Sequence, residues 1–240
     1  MFQKITKQIK CSERFLRKLP ITIIFLITLF FSNCSKKNQN KKLAFNYYKM
    51  SILDLETEIL CERNYKNSLQ NIEKAIIEDP ENAYYLAHKA TVLFLINKTD
   101  ESEKVFKQAL SIKSEPTTKP EILNNYACLL ARSGKTEQAL KTFELLENDK
   151  NYLTPELALV NQAKIYSERK DYQVAKTKLA QAIQNAKDYV DAHYYLGVVS
   201  FLTKDFETSR QAIEKTILLD PTHNKARDIY AMLEKQEDGE

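Results

Sequence analysis

Three histidines and four cysteines are the side chains of this 240-residue sequence whose chemistry could go beyond packing. A zinc site needs three or four such ligands at short spacings. His88, His193 and His223 are isolated from one another and from any cysteine, and Cys11, Cys34, Cys61 and Cys128 form no C-x-x-C pair. No G-x-S-x-G, P-loop or G-x-G-x-x-G motif occurs, and three glycines in all leave little backbone able to cradle a phosphate. The neighbouring acids Glu101 and Glu103 read as a solvated helix face. No catalytic, metal or cofactor site is therefore expected. What remains is modification of one cysteine and recognition by side chains.

Cys34 stands apart because of what precedes it. Residues 1–33 carry Lys4, Lys7, Lys10, Arg14, Arg17 and Lys18 against the single acid Glu13. An apolar run, Leu19 to Phe31, follows; it is shorter than the roughly 20 residues that span a bilayer and suits the apolar core of a secretory signal. The run ends in Phe31-Ser32-Asn33-Cys34, which resembles the lipobox of bacterial lipoproteins, whose cysteine is acylated and becomes the new N-terminus. Asn33 departs from the usual Gly or Ala, and the basic region is longer than usual, so an uncleaved signal anchor and a plain buried helix remain open. Several acyl chains on one residue, at about 0.8 kcal/mol per buried CH₂, would hold the mature chain on its membrane. Residue 35 is Ser rather than the Asp that retains enterobacterial lipoproteins at the inner membrane. The expectation is a lipid-anchored protein of the outer membrane, facing the periplasm.

Charge excludes another class. The leader holds +5 of a total of +4, so the remainder nets −1, with acids and bases interleaved and no basic patch for nucleic acid. The organisation expected is a signal peptide over 1–33, a lipidated cysteine with a polar tether over 34–43, and a folded body over 44–240. Low glycine with abundant Ala, Leu, Lys and Glu makes that body all-α. Cys61 and Cys128 read as small packing residues, too far apart for a disulfide.

The body repeats itself near a period of 34. Frames opening at Lys49, Ala83, Pro120, Glu156 and Val190 put Ala90, Ala127, Ala163 and Gly197 at an eighth position and Ser68, Ser102, Ala139, Ala175 and Ser209 at a twentieth. Four residues after each twentieth position stands a large apolar residue: Ile72, Phe106, Phe143, Leu179 and Ile213. Small residues let the two helices of a hairpin approach, and the large ones fill the space between hairpins. Asp79-Pro80 and Asp220-Pro221 stop second helices. The pattern, clearest over residues 190–221, resembles the tetratricopeptide repeat. It implies a right-handed superhelical solenoid of about five hairpins with a capping helix beyond Pro221. The first frame is irregular, with Glu56 where a small residue belongs.

In that repeat family the first helices line a groove, and the register assigns it Tyr84, His88, Phe94, Asn124, Asn125, Arg132, Asn161, Lys164, Tyr194 and Tyr195, with Ala87, Thr91, Cys128, Val160, Glu168, Val198 and Phe201 between them. Asn125 and Asn161 fall at the sixth position of successive repeats, where an amide can donate to and accept from a peptide backbone; a merely solvated role stays open for both. Tyr84, Tyr194 and Tyr195 suit a binding surface because a large ring and hydroxyl cost little entropy to fix. A chaperone-type carboxylate clamp needs cations at the fifth and ninth positions of adjacent repeats, and only Lys164 qualifies. His193 occupies a slot usually filled by an aromatic core residue.

One segment goes further. Glu121-Ile-Leu-Asn-Asn-Tyr-Ala-Cys-Leu-Leu-Ala-Arg-Ser-Gly-Lys135, then Ala139 to Phe143 and Tyr152-Leu-Thr-Pro155, is similar to the third repeat and following connection of the type IV pilus biogenesis and stability lipoproteins, the pilotins. Ala127 replaces that family's glycine, and no sixth complete repeat is evident. The resemblance implies an outer-membrane lipoprotein that binds secretin subunits and promotes their assembly. A scaffold for peptidoglycan enzymes or outer-membrane assembly would share the fold and the anchor. Either reading makes the partner a protein and the membrane a lipid-mediated contact, with the oligomeric state open.

Overall fold

The structure, a computed structural model, describes residues 21–56 and 62–237, with side chains from 36 to 56 and 62 to 236. The basic leader segment and Cys61 lie outside the described residues, as does the side chain of Cys34. Every regular element among them is an α-helix. The chain divides into two compact units at Glu81 and Asn82.

The first unit is one hairpin, α1 (Ile21–Leu55) and α2 (Glu62–Glu78). Residues 34–43 continue α1, since neither proline nor glycine stands there to stop a helix. Its register differs from the expected frame. Ser51, not Glu56, meets Ser68: the Ser51 hydroxyl donates to the Ser68 carbonyl at 2.8 Å and the Ser68 hydroxyl to the Ser51 carbonyl at 2.9 Å. The two serines are 17 residues apart, against 12 in the hairpins below, so a longer connection absorbs the difference. The buried small residue that was missing is thus Ser51, one and a half turns earlier than the frame placed it. No helix among the described residues is long and apolar enough to cross a membrane.

The second unit holds four hairpins and a last helix. They are α3 (Ala83–Leu95) with α4 (Thr99–Ser111), α5 (Thr118–Arg132) with α6 (Thr136–Glu147), α7 (Pro155–Glu168) with α8 (Tyr172–Asn185), and α9 (Val190–Leu202) with α10 (Phe206–Leu219), then α11 (Asn224–Glu237). Each second helix packs on the first helix of the next pair, α10 packs on α11, and the first helices α3, α5, α7 and α9 touch in series. This is a solenoid.

The seams are those the spacing implied. Ala90, Ala127, Ala163 and Gly197 are buried opposite buried Ser102, Ala139, Ala175 and Ser209, with Phe106, Phe143, Leu179 and Ile213 sealed beside them. Where the second helix offers serine, its hydroxyl bonds the facing helix: Ser102 donates to the Ala90 carbonyl at 2.6 Å and Ser209 to the Gly197 carbonyl at 2.8 Å. At Gly197 a Cβ would come within 2.6 Å of the Ile213 side chain, so this crossing is tighter than an alanine allows without a shift.

One turn recurs four times without a shared residue type. Asn97, Gly134, Lys170 and Lys204 take positive φ of 62°, 77°, 65° and 58° at the end of each first helix. The next amide reaches back five residues, Lys98 to Leu93, Lys135 to Leu130, Asp171 to Tyr166 and Asp205 to Ser200 at 2.8–2.9 Å, closing the helix as Schellman motifs do. Only Gly134 adopts this conformation freely. A Cβ there would meet nothing within 4 Å, so Gly134→Ala is expected to cost only the left-handed strain, about 1 kcal/mol, read as a lower urea midpoint with unchanged slope.

Hairpins are also pinned by charge. The Glu103 carboxylate on α4 receives Lys107 at 2.7 Å and Lys135, from the next hairpin's turn, at 2.5 Å, with the Tyr126 hydroxyl at 3.3 Å. The two ammonium groups, Lys107 first, hold its pKa near 2 against an ordinary 4.5. A carboxyl depressed on folding stabilises above its unfolded pKa and loses that contribution as the pH falls through the folded value. Stability should therefore decline between pH 4.5 and about 2. Glu103→Gln, followed by urea midpoints across that window, should flatten part of the decline.

Candidate protein-binding groove

The four first helices of the second unit present the side chains that the register assigned to the groove, and the structure divides them into three groups. At the first hairpin of the unit, Tyr84 is exposed and its hydroxyl donates to Glu121 at 2.7 Å, tying α3 to α5. Asn82 caps α3 through its side-chain oxygen and the Tyr84 amide at 3.1 Å. His88, Thr91 and Phe94 are half-buried along the same helix.

The middle group is where the sequence reading needs correction. Asn124 is buried, 5% exposed, rather than open to a ligand. Asn161 is half-buried, and its amide points at the Asn124 oxygen and the Cys128 sulfur, both at 3.4 Å. Those contacts join α5 to α7. Asn125, one residue on, is exposed. Ala87 on α3 and Val160 on α7, also assigned to the groove, are buried in the core. Burial pushes the Cys128 thiol upward in pKa against the opposing pull of Lys164 and Arg132, which keeps it neutral.

Two adjoining hollows open around this middle group. One, about 170 Å³, is bounded by Thr91, Phe94, Phe106, Asn125, Leu129 and Arg132. The other, about 250 Å³, is bounded by Ala131, Arg132, Phe143, Asn161, Lys164 and Glu168. Cys128 and Arg132 belong to both. Arg132 sits 4.6 Å over the Phe94 ring and Lys164 4.4 Å over the Tyr195 ring, so each cation of one repeat rests on an aromatic of a neighbouring repeat.

At the far end Tyr194 and Tyr195 meet edge to face at 5.0 Å, and Tyr194 lies 4.5 Å from His223. His223 also accepts the Ala226 amide on Nδ1 at 3.1 Å, capping α11. Burial, then the neighbouring Tyr195, raises the Tyr194 pKa. His193 is half-buried with Nε2 2.8 Å from the Lys187 carbonyl, fastening the connection before α9. The Tyr194–His223 contact was not foreseen, because it depends on how the connection between α10 and α11, where His223 stands, lies against α9.

Among the described residues no three His, Cys, Asp or Glu side chains are grouped as metal ligands. The arrangement can hold a chain by hydrogen bonds, apolar contact and charge.

Helical hairpins with these small-residue seams, closing turns and serial first helices define a tetratricopeptide-repeat solenoid, and residues 160–224 match the tetratricopeptide repeat family. The fold is similar to that of PilW, described as a widely conserved type IV pilus biogenesis factor, at a TM-score of 0.62 and 20% identity over 83% of this chain and 91% of that one. Pseudomonas aeruginosa PilF is similar at 0.63 and 16% over 82% and 91%. Yeast Tom70 is similar at 0.68 and 21%, over 88% of this chain but 42% of its own. At these identities the likeness is one of fold. No curated protein sequence matches the chain.

Proposed function

We propose that this protein is an outer-membrane lipoprotein, anchored through Cys34 and facing the periplasm, whose first-helix groove holds a segment of another protein and thereby assists secretin assembly in type IV pilus biogenesis. The observation that carries the holding role is the pair of adjoining hollows between neighbouring repeats, open to solvent and lined by aromatic, amide and cationic groups. The pilus assignment draws on the Glu121–Lys135 segment and the lipobox-like leader, and on a fold shared with PilW over nine-tenths of that chain. The work is escort: the lipid sets location and the groove sets the partner.

Deleting the gene and examining membranes for heat-stable secretin multimers tests this reading. Loss of multimers and of pili, restored by the wild-type gene, is the expected result. Unchanged multimers with normal piliation would refute the pilus role and turn attention to peptidoglycan enzymes or outer-membrane assembly factors as partners.

A further inference from the structure

Building on the groove as the holding surface, we infer that its ligand is an extended segment carrying an acidic side chain two residues from a large apolar one. Arg132 and Lys164 are the cations of the two hollows, and among the described residues neither has a carboxylate partner, although Glu168 lines the same hollow as Lys164. Elsewhere on the unit some cations are matched, Lys135 with Glu103, Arg169 with Glu137, Lys176 with Asp205 and Lys215 with Asp188, and the unmatched ones, such as Lys141 on α6 and Lys204 in a closing turn, line neither hollow. Two cations without an ion pair that line one hollow favour a ligand bearing negative charge there.

Geometry says how that charge is met. Arg132 rests over the Phe94 ring at 4.6 Å, and a guanidinium grips a carboxylate by two hydrogen bonds from its in-plane N–H edge. The Tyr195 ring likewise steadies Lys164 without neutralising it. The rings pre-position both cations, so less freedom is lost when a ligand binds. The first hollow, walled by Phe94, Leu95, Phe106 and Leu129, is apolar, and at about 170 Å³ it is well below the ~300–1,000 Å³ of a small-molecule site. It has room for one side chain. Alternate side chains of an extended chain point to the same side, about 7 Å apart, which lets one segment fill this hollow and reach the cations of the adjoining one. Exposed Asn125 stands at the rim, placed to pair with that segment's backbone.

The test uses the full chain in detergent micelles and three fluorescent, C-terminally amidated peptides, Gly-Ser-Leu-Ser-Glu-Ser-Gly and its counterparts with Gln or Lys in place of Glu, followed by anisotropy and chemical-shift change at low ionic strength. The Glu peptide should bind about tenfold or more tightly than the Gln peptide. The variant Arg132→Glu with Lys164→Glu should lose that preference and favour the Lys peptide, and Arg132→Gln alone, at an exposed position, should weaken binding of the Glu peptide with its thermal midpoint unchanged. Equal binding of the Glu and Gln peptides, or binding of none, overturns the inference. The two readings fail separately. Secretin multimers that depend on the protein, beside equal peptide binding, would leave the pilus role standing without acidic selectivity. Multimers indifferent to the protein, beside Glu preference, would leave the groove chemistry and remove the pilus role.

Discussion

Phe143→Ala is expected to lower the stability of the repeat unit by about 3–5 kcal/mol, the range for truncating a fully buried phenylalanine. Phe143 is 1% exposed and packs in one cluster with Ala127, Leu130, Leu146, Tyr152 and Ile165, so it touches both helices of its own hairpin and the first helix of the next. Truncation removes the apolar area and leaves a void that those neighbours, held by three different helices, can close only in part. Single domains have only about 5–15 kcal/mol of stability, so the urea midpoint should fall far, and a solenoid could also lose its single transition. Leucine at the same site keeps most of the volume and should recover more than half of the loss. A midpoint for Phe143→Ala within 0.5 kcal/mol of wild type would contradict the seam as described.

The second large effect concerns the anchor. Cys34→Ala is expected to abolish incorporation of an alkyne-labelled palmitate completely, whereas the wild-type chain should carry the label and have lost residues 1–33 by intact mass. The reasoning is chemical. Only the thiol of the residue that ends the apolar run can take the thioether-linked lipid of a lipobox, and Ser32 or Ser35 cannot substitute for it. Each acyl CH₂ adds about 0.8 kcal/mol to membrane affinity, so several chains on Cys34 would hold the protein on the bilayer. Equal label in the Cys34→Ala variant would remove the lipidated anchor. A wild-type chain that keeps residues 1–33 and carries no label would instead point to the uncleaved signal anchor.

Much of the second unit was legible because its physics is written in residue size. Close helix crossings require Ala, Gly or Ser, and those residues recur at Ala90, Ala127, Ala163 and Gly197 with a period that no other constraint produces. Prolines at 80 and 221 follow α2 and α10 as their missing amides dictate. The closing turns were invisible for the opposite reason. A left-handed residue has a signature only when it is glycine, and three of the four positions use Asn97, Lys170 and Lys204, whose conformation is imposed by the five-residue backbone bond. The first hairpin was misregistered because a serine at 51 is as small as the residue sought but stands outside a fixed 12-residue separation.

The groove was only half legible. Register along one helix says which residues share a face, and of those it assigned Asn125 and Arg132 are exposed and Lys164, Tyr194 and Tyr195 half-buried. Register does not say how far one repeat rotates on the next. That rotation turns Asn124 inward, spends the Asn161 amide on Asn124 and Cys128, and sets Arg132 on Phe94 and Lys164 on Tyr195. The hollows arise from neighbouring repeats together, so no single repeat contains their pattern.

The most direct test of the holding role is photo-crosslinking in intact cells from an ultraviolet-reactive phenylalanine analogue at Asn125, with the same analogue at Lys141, exposed on α6, as the comparison. A discrete adduct from Asn125 that contains secretin, with none from Lys141, is the result expected of a first-helix groove that grips its partner. An adduct from Lys141 and none from Asn125 would place the partner on the second helices and contradict it.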